Sequence, residues 1–338
     1  MTRKGRRSSR LDPTVVQPGD RLAAAARVGD LRAIPVATNL RLATALLAVN
    51  ALQLAILPAL LVQRSGWWAL LLIPIVPTGH TLLSLTHEAV HGIAHPSARV
   101  NRVLGRVLAL AFGASFDVYR IVHLMHHKHN RTPVERVELY GWRGRTGLSA
   151  RVGYYYDLLG GNYVSQLLGL AVLPFVPVRI LRARLARMNA NTYTARALEA
   201  MAAPATLRAI RQDTVLLAFL LGGAFWFYGS RWPLLAGALF ARALFTSLFN
   251  YLYHYGTPLD DVLHGYNLAL PSPLAKILLH FNLHGVHHAN PSLPWSALPK
   301  AFARKGGAFD APFATAALRQ LRGPLTLEQL PLANSSSP

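Results

Sequence analysis

Four long apolar stretches constrain the fold of this chain more than any other feature. They comprise residues 39–62, 66–91, 214–228 and 232–255. Such stretches can cross a bilayer core of about 30 Å as helices. Only 14% of the residues are charged, whereas soluble domains carry roughly 25%. Because residues 63–66 and 229–231 are short connections, the sequence predicts an all-α integral membrane protein whose four transmembrane helices form two hairpins.

Two further apolar stretches are predicted to lie in or near the membrane surface. Residues 103–116 are too short to span, so we expect an interfacial or re-entrant segment. Residues 163–180 are interrupted by Pro174 and Pro177. A fifth span there would place the last part of the chain on the opposite side from the middle part. We therefore predict interfacial helices for 163–180.

The distribution of positive charge predicts the orientation. Of the 35 Lys and Arg residues, 31 lie in residues 1–38, in 92–212 and after 256. Cytoplasmic segments carry such an excess, so these regions and both termini are predicted to be cytoplasmic, with residues 1–38 and 301–338 as tails. The net charge of +21 is then mainly a topology signal. We expect a bacterial inner-membrane protein with no nucleic-acid partner.

Three histidine clusters carry the chemistry. Residues three and four apart share one face of a helix, so each cluster can direct its rings to a common point. Neutral imidazole is the commonest protein ligand of transition metals. One zinc takes three or four protein ligands, so eight imidazoles predict more than one ion. The clusters comprise His87 and His91; His123, His126 and His127; and His284, His287 and His288.

Helix rise predicts the depth of the site. At about 1.5 Å per residue, His87 lies roughly 30 Å along its span from Trp67. His254 lies roughly 33 Å along the last span from Trp232. Both are predicted to emerge at the cytoplasmic headgroup level, so we expect a histidine-rich catalytic cap on that surface. The chain has no cysteine, which excludes thiolate ligands.

The three clusters resemble the histidine boxes of the membrane fatty acid desaturase superfamily, which includes lipid hydroxylases and carotenoid ketolases. The stretch NLHGVHHANPSLPW at 282–295 is especially similar to the third box. Asn250-x-x-x-His254 resembles an element of acyl-CoA desaturases in which the His is a metal ligand and the Asn holds a metal-bound water. The resemblance covers residues 39–300. In one departure, Thr132-Pro-Val-Glu135 follows the second box, where an Asp-Pro stretch is frequent.

The resemblance implies two non-heme iron ions held by the eight box histidines and His254, with Asn250 as a water-mediated contact. It also implies dioxygen, an external ferredoxin or reductase as electron donor, and desaturation of a fatty acyl chain carried by CoA, a carrier protein or a glycerolipid. Electron carriers of this kind are often acidic, which suits a basic cytoplasmic face. Hydroxylation or ketolation of a lipid by the same centre is the close alternative.

Two other functions share parts of the pattern. His87-Glu88-Ala-Val-His91 matches H-E-x-x-H, in which Glu88 would be the base of a zinc protease. A heme-binding electron carrier would need paired histidines well inside the membrane. The protease would leave the two H-x-x-H-H clusters without a role, and the predicted depth of the histidines disfavours the heme carrier. In the desaturase interpretation Glu88, His280 and His80 are predicted to surround the ligands, and Arg242, near mid-bilayer, to snorkel or pair with Asn50.

Overall fold

The first hairpin is formed by two apolar helical segments near the N-terminus of the described chain. The computed structural model describes residues 31–63 and 66–331, so most of the predicted N-terminal tail lies outside the described residues. Helix α1 (Val36–Ala51) continues through a π turn into α2 (Leu57–Gln63). After a 3-10 segment, Gly66–Leu72, the chain forms α3 (Ile75–Val90). Leu46 of α1 packs in one cluster with Leu82 of α3.

A sharply bent helix pair follows. Helix α4 (Ala98–Phe112) ends at Gly113, whose φ of 95° is in the left-handed region that favours glycine. Helix α5 (Phe116–His129) then leaves at a bend of 100°. The predicted interfacial or re-entrant stretch at 103–116 thus spans the end of α4 and the turn.

The middle of the chain forms short helices, and residues 163–180 are divided between two of them. Pro177 precedes the second and Pro174 lies in the 3-10 turn between them, which accounts for the break. These helices are α6 (Gly147–Tyr156), α7 (Asn162–Val172), α8 (Val178–Leu185) and α9 (Tyr193–Met201).

The second hairpin consists of α10 (Pro204–Tyr228) and α11 (Trp232–Leu252), joined by Gly229–Arg231. Asp213 of α10 accepts a hydrogen bond from Ser115, at the end of the turn between α4 and α5. Arg242 of α11 lies within hydrogen-bond distance of the Tyr163 hydroxyl, which donates to the Phe112 carbonyl at the start of that turn. Asp213 and Arg242 thus lie near the same turn. On one straight helix, Asp213 and Arg242 would lie about 43 Å apart. The two helices are therefore antiparallel.

The helices of this hairpin have other bounds than the predicted spans. Helix α10 begins ten residues before the predicted span, because the buried Asp213 is satisfied by Ser115 and by an ion pair with Arg106. Helix α11 ends at Leu252, so His254 lies in the turn that follows the helix and not in its last turn.

Within the described residues, three helical segments are long and apolar enough to cross a membrane, or up to four if the bent pair is counted as one span. They are Val36–Leu61, Gly66–Val90 and Pro204–Leu252, the last of which contains the hairpin turn. The protein is thus mostly helical, with three to four candidate membrane spans.

The turn between α4 and α5 is buried, and its backbone carbonyls are satisfied by side chains. The Asn50 amide donates to the Ala111 carbonyl at 3.1 Å, and the Tyr163 hydroxyl donates to the Phe112 carbonyl at 2.7 Å. Irregular backbone at membrane depth is stable only when it is buried in protein and paired in this way. Asn50 and Tyr163 therefore stabilise the turn.

Arg242 lies against the same turn, and the predicted pairing with Asn50 is wrong. The side chain is only 2% exposed and does not snorkel. Its Nη2 lies 3.3 Å from the Tyr163 hydroxyl, and its guanidinium lies over the Phe112 ring at 5.1 Å. A Cβ at Gly79 would clash with Arg242 Cδ, so the glycine makes room for the arginine. The cation also lies beside the C-terminus of α4, where the helix dipole favours positive charge.

The described end of the chain packs on the core. Strands β1 (Leu268–Ala269) and β2 (Ala311–Pro312) pair in parallel. The hydroxyls of Tyr154 and Tyr255 donate to the carbonyls of Gln320 and Gly323. Part of the predicted C-terminal tail is thus packed through residue 331. The remaining helices are α12 (Ser272–Ile277), α13 (His284–Ala289), α14 (Leu298–Arg304) and α15 (Phe313–Arg319).

Candidate metal centre

Each histidine cluster lies at the end of a helix or on a short one. His87 and His91 occupy the last turn and the C-cap of α3. The second cluster occupies the last two turns of α5, and the third forms most of α13. His254 lies two residues beyond α11. Because four segments end at one place, residues far apart in sequence converge there.

The nine predicted histidines form two groups, and within each group the candidate ligand nitrogens lie within 4.8 Å of one another. The five-histidine group contains His87, His91, His123, His127 and His287. The four-histidine group contains His126, His254, His284 and His288. The groups are adjacent, since the rings of His127 and His288 stack at a centroid distance of 4.3 Å. Both H-x-x-H-H clusters contribute to both groups.

Distances between Nε2 atoms test whether the groups fit a metal. His123 Nε2 lies 2.9 Å from His91 Nε2 and 3.0 Å from His127 Nε2. His254 Nε2 lies 3.1 Å from His126 Nε2 and 3.0 Å from His284 Nε2. Two imidazoles bound at about 2.1 Å would have nitrogens about 3.0 Å apart at a 90° angle and about 3.4 Å apart in a tetrahedron. The nitrogens of each group therefore lie close enough together to bind a common metal ion.

The buried polar atoms and the protonation of these residues also fit metal ligation. Nε2 of His288 is buried and has no hydrogen-bond partner among the described residues. Burial lowers the pKa of His254, His284, His287 and His288 well below the ordinary value, and neighbouring imidazoles lower it further. The neutral imidazole that results is the form that binds metals. The two groups can therefore hold metal ions.

A model of the fatty acid desaturase family matches residues 65–315. This region includes both groups and most of the chain. The chain belongs to the fatty acid desaturase family. No curated protein matches it. Family membership and the histidine clusters together fit a membrane oxidoreductase of this superfamily.

A cavity of about 540 Å³ reaches the centre of this desaturase-family protein. Helix α5 contributes Val118, Val122 and His126 to its wall. The first and last of these are eight positions apart, so about 12 Å of the helix lies along the cavity. Phe112, Ala114 and Tyr163 line it at the buried turn. Glu135, Trp142 and Arg143 line it near the loop after α5. The cavity therefore runs from an apolar end, past the histidines, to a polar end.

The cavity contacts the two groups unequally. His126, His254 and His284 of the four-histidine group line it, whereas His123 is the one member of the five-histidine group to do so. Asn250, one turn before His254, lines the same cavity and is exposed there. Asn250 and three imidazoles of the four-histidine group thus line one cavity, and the water-mediated metal contact predicted for Asn250 stays a prediction.

Glu135 is a site residue that the motifs did not predict. Its Oε1 lies 2.9 Å from His126 Nδ1, so it fixes the ring with Nε2 toward the four-histidine group. The Val262 carbonyl has the same relation to His288 Nδ1, at 3.3 Å. Glu135 lies in the stretch that departs from the family pattern. The sequence held one signal for it. The chain has only 14 acidic residues, and Glu135 is nine positions after the predicted ligand His126.

The loop after α5 is tied to the turn that carries His254. Arg131 is 1% exposed and forms a buried ion pair with Glu138. The same guanidinium donates to the carbonyls of Thr257 and Pro258, three and four residues after His254. This clamp joins the segments that supply His126 and His254.

The three residues predicted to surround the ligands have other partners. Glu88 accepts a hydrogen bond from the Trp295 backbone N–H at 2.9 Å. His280 stacks on the Trp295 ring. His80 lies among Phe245, Phe249 and Phe281. No hydrogen bond between described residues joins these three to a ligand histidine, so their predicted roles stay predictions.

Proposed function

We propose that this protein uses dioxygen and electrons from an external carrier to desaturate a fatty acyl chain. The supporting observation is the cavity, which is apolar at its inner end and is lined by three of the four histidines of the four-histidine group. An acyl chain matches that shape and polarity. The balanced reaction converts a –CH₂–CH₂– unit, O₂, two electrons and two protons into a –CH=CH– unit and two water molecules.

The nine histidines are proposed to hold two non-heme iron ions, one in each group. Iron bound there would supply dioxygen activation and the oxidising power that an unactivated C–H bond requires. Five imidazoles in one group exceed the four ligands of a zinc site, and this number argues against the protease alternative. In this proposal Glu135 orients His126, and Asn250 would hold a water at the four-histidine group.

The remaining residues bind and position the substrate. The walls formed by Phe112, Val118 and Val122 exclude water from the acyl chain. Thr246 and Ser247 line the same cavity about one helical turn before Asn250. At the polar end, the Arg143 guanidinium lies 4.0 Å over the Trp142 ring, where the polar head of the substrate would lie.

The topology proposal follows from the same elements. Each arm of the two hairpins crosses the membrane, which gives four spans with the histidines and both termini in the cytoplasm of a bacterium. The bent pair and α7 lie on or in that surface. Residues 39–300 would then form the membrane-embedded domain, with residues 1–38 and 301–338 as terminal segments.

Fatty-acid profiling tests the reaction. The protein is expressed in a host of defined lipid composition, and the acyl chains are analysed by mass spectrometry. Desaturation gives a product two mass units lighter than its precursor, and hydroxylation gives one sixteen units heavier. The His287→Ala variant should give neither product, whereas His264→Ala, a histidine outside both groups, should retain the product. Full activity of His287→Ala would contradict the proposal.

A further inference from the structure

The cavity and the outer surface reach different histidines. Three of the nine are half-buried, namely His91, His126 and His127, and the other six are buried. His126 lines the cavity, whereas His91 and His127 do not. The accessible part of His91 and His127 therefore lies outside the cavity. Both belong to the five-histidine group, so that group forms the outer edge of the centre.

Helix α5 separates these two sides. At 3.6 residues per turn, Arg120 and His127 lie within about 20° of each other around the helix. Val122 and His126, four residues apart, lie together on another face and line the cavity. Arg120 and Lys128 are exposed. One face of α5 thus holds the substrate cavity, and the other carries a ligand histidine between two cations.

Positive charge surrounds this edge. The His91 ring lies 4.8 Å from the His127 ring, so it packs against the face of α5 that also carries Arg120. The acidic residue of α5, Asp117, is already paired with Arg102 at 2.8 Å. Arg99, one turn before Arg102 on α4, is exposed. The surface beside His91 and His127 therefore has an excess of cations.

We propose that the exposed surface formed by Arg120, His127, Lys128 and His91, here named the outer face, is the docking site of a small acidic one-electron carrier. This inference rests on the proposed function, because that reaction consumes two electrons and the substrate occupies the other side of the centre. Docking there brings the carrier's redox group beside the five-histidine group. Opposite charge steers such encounters and raises their rate.

Stopped-flow reduction of the full-length, iron-loaded protein in nanodiscs, under anaerobic conditions, tests the proposal. The probe is a reduced plant-type [2Fe–2S] ferredoxin of net negative charge. The Arg120→Glu/Lys128→Glu double variant should lower the second-order rate constant at low salt by on the order of 10-fold or more. The difference from wild type should shrink as salt screens the charges.

A matched control places the same charge change elsewhere. The Arg179→Glu/Arg182→Glu double variant alters two exposed cations of α8, away from the ligand histidines. Ferredoxin should reduce this variant at the wild-type rate. Reduction by dithionite, which needs no docked protein, should be equal in all variants, as should iron content.

The outcomes separate the two proposals. Suppose that ferredoxin reduces both double variants at the same rate, while iron content and reduction by dithionite are unchanged. This result would overturn the docking site and leave the proposed function standing. A wild-type protein that binds no iron would overturn the proposed function, and the docking site with it. If neutral replacements Arg120→Gln and Lys128→Gln slow reduction less than the glutamates, charge and not folding is the cause.

Discussion

The five-histidine and four-histidine groups are assembled from the same helices, yet they have different surroundings. The five-histidine group has two members at the outer surface and one on the cavity. The four-histidine group has three members on the cavity, Asn250 beside it and Glu135 behind His126. The comparison teaches that neighbouring residues of one motif, such as His126 and His127, can serve different metals and different access routes.

The largest expected effect comes from removing one ligand of each group. His284 and His287 are three residues apart on α13 but belong to different groups. Since outer-shell changes already cost about 10–100-fold, His284→Ala and His287→Ala should each lower product formation by more than that. Each variant should also lose one of two irons, measured by elemental analysis. Loss of both irons from either variant would show that the groups are not separate sites.

Glu135→Gln should act on the four-histidine group. The amide lacks the negative charge of the carboxylate and holds the His126 ring less strongly, so metal affinity at that group should fall by about 10–100-fold. The iron content after limited chelation should approach one per chain. Glu199→Gln, an exposed acid on α9, is the control and should retain both irons. Equal iron retention in both variants would contradict the role given to Glu135.

A substitution at the inner end of the cavity should alter the product and spare the metals. Ala114 is buried and lines the cavity at the turn after α4. Ala114→Leu shortens the space for the chain, so we expect a several-fold shift toward shorter substrates, measured by fatty-acid profiling. Ala171→Leu adds the same side chain at an exposed position of α7 and should leave the profile unchanged. An unchanged profile in Ala114→Leu would place the acyl chain elsewhere.

The smallest expected effect is on the stability of the metal-free protein. His91 has a pKa lowered from 6.5 to about 4 by burial and by Arg120. Between those values the unfolded chain binds a proton that the folded protein does not, so stability falls as the pH falls from 6.5 toward 4. One such group contributes at most about 1.4 kcal/mol per pH unit.

Thermal unfolding in detergent with a chelator measures this dependence. When the pH is lowered from 6.5 to 5.5, the melting temperature of the His91→Asn variant should fall by about 2 °C less than that of the wild type, because one titrating group is gone. His264→Asn serves as the control. A larger loss in His91→Asn than in the wild type would contradict the sign of the shift.

The apolar stretches and the histidine spacing predicted much of the fold and the site, because membrane thickness and helix periodicity are local properties. The partition into groups was not predictable from spacing. His126 and His127 are adjacent, and the way the ends of α3 and α5, the turn after α11 and α13 meet decides which ring faces which group. Glu135 and Arg131 were missed for a related reason, since a loop brings them to the centre and loops have no periodicity.

Arg242 illustrates the same limit. Its depth in the membrane followed from helix rise, but its partner depended on the buried turn between α4 and α5. That turn places Tyr163 and Phe112 within reach of the guanidinium, whereas Asn50 bonds the Ala111 carbonyl.

Metal analysis combined with Mössbauer spectroscopy of protein grown on ⁵⁷Fe tests the central claim most directly. Two unequal groups, one with five imidazoles and one with four, predict two irons per chain and two distinct iron signals of equal area. The His284→Ala variant should lose one of these signals, and His287→Ala the other. One zinc per chain, a Soret band from heme, or a single iron signal that both variants abolish would contradict the account.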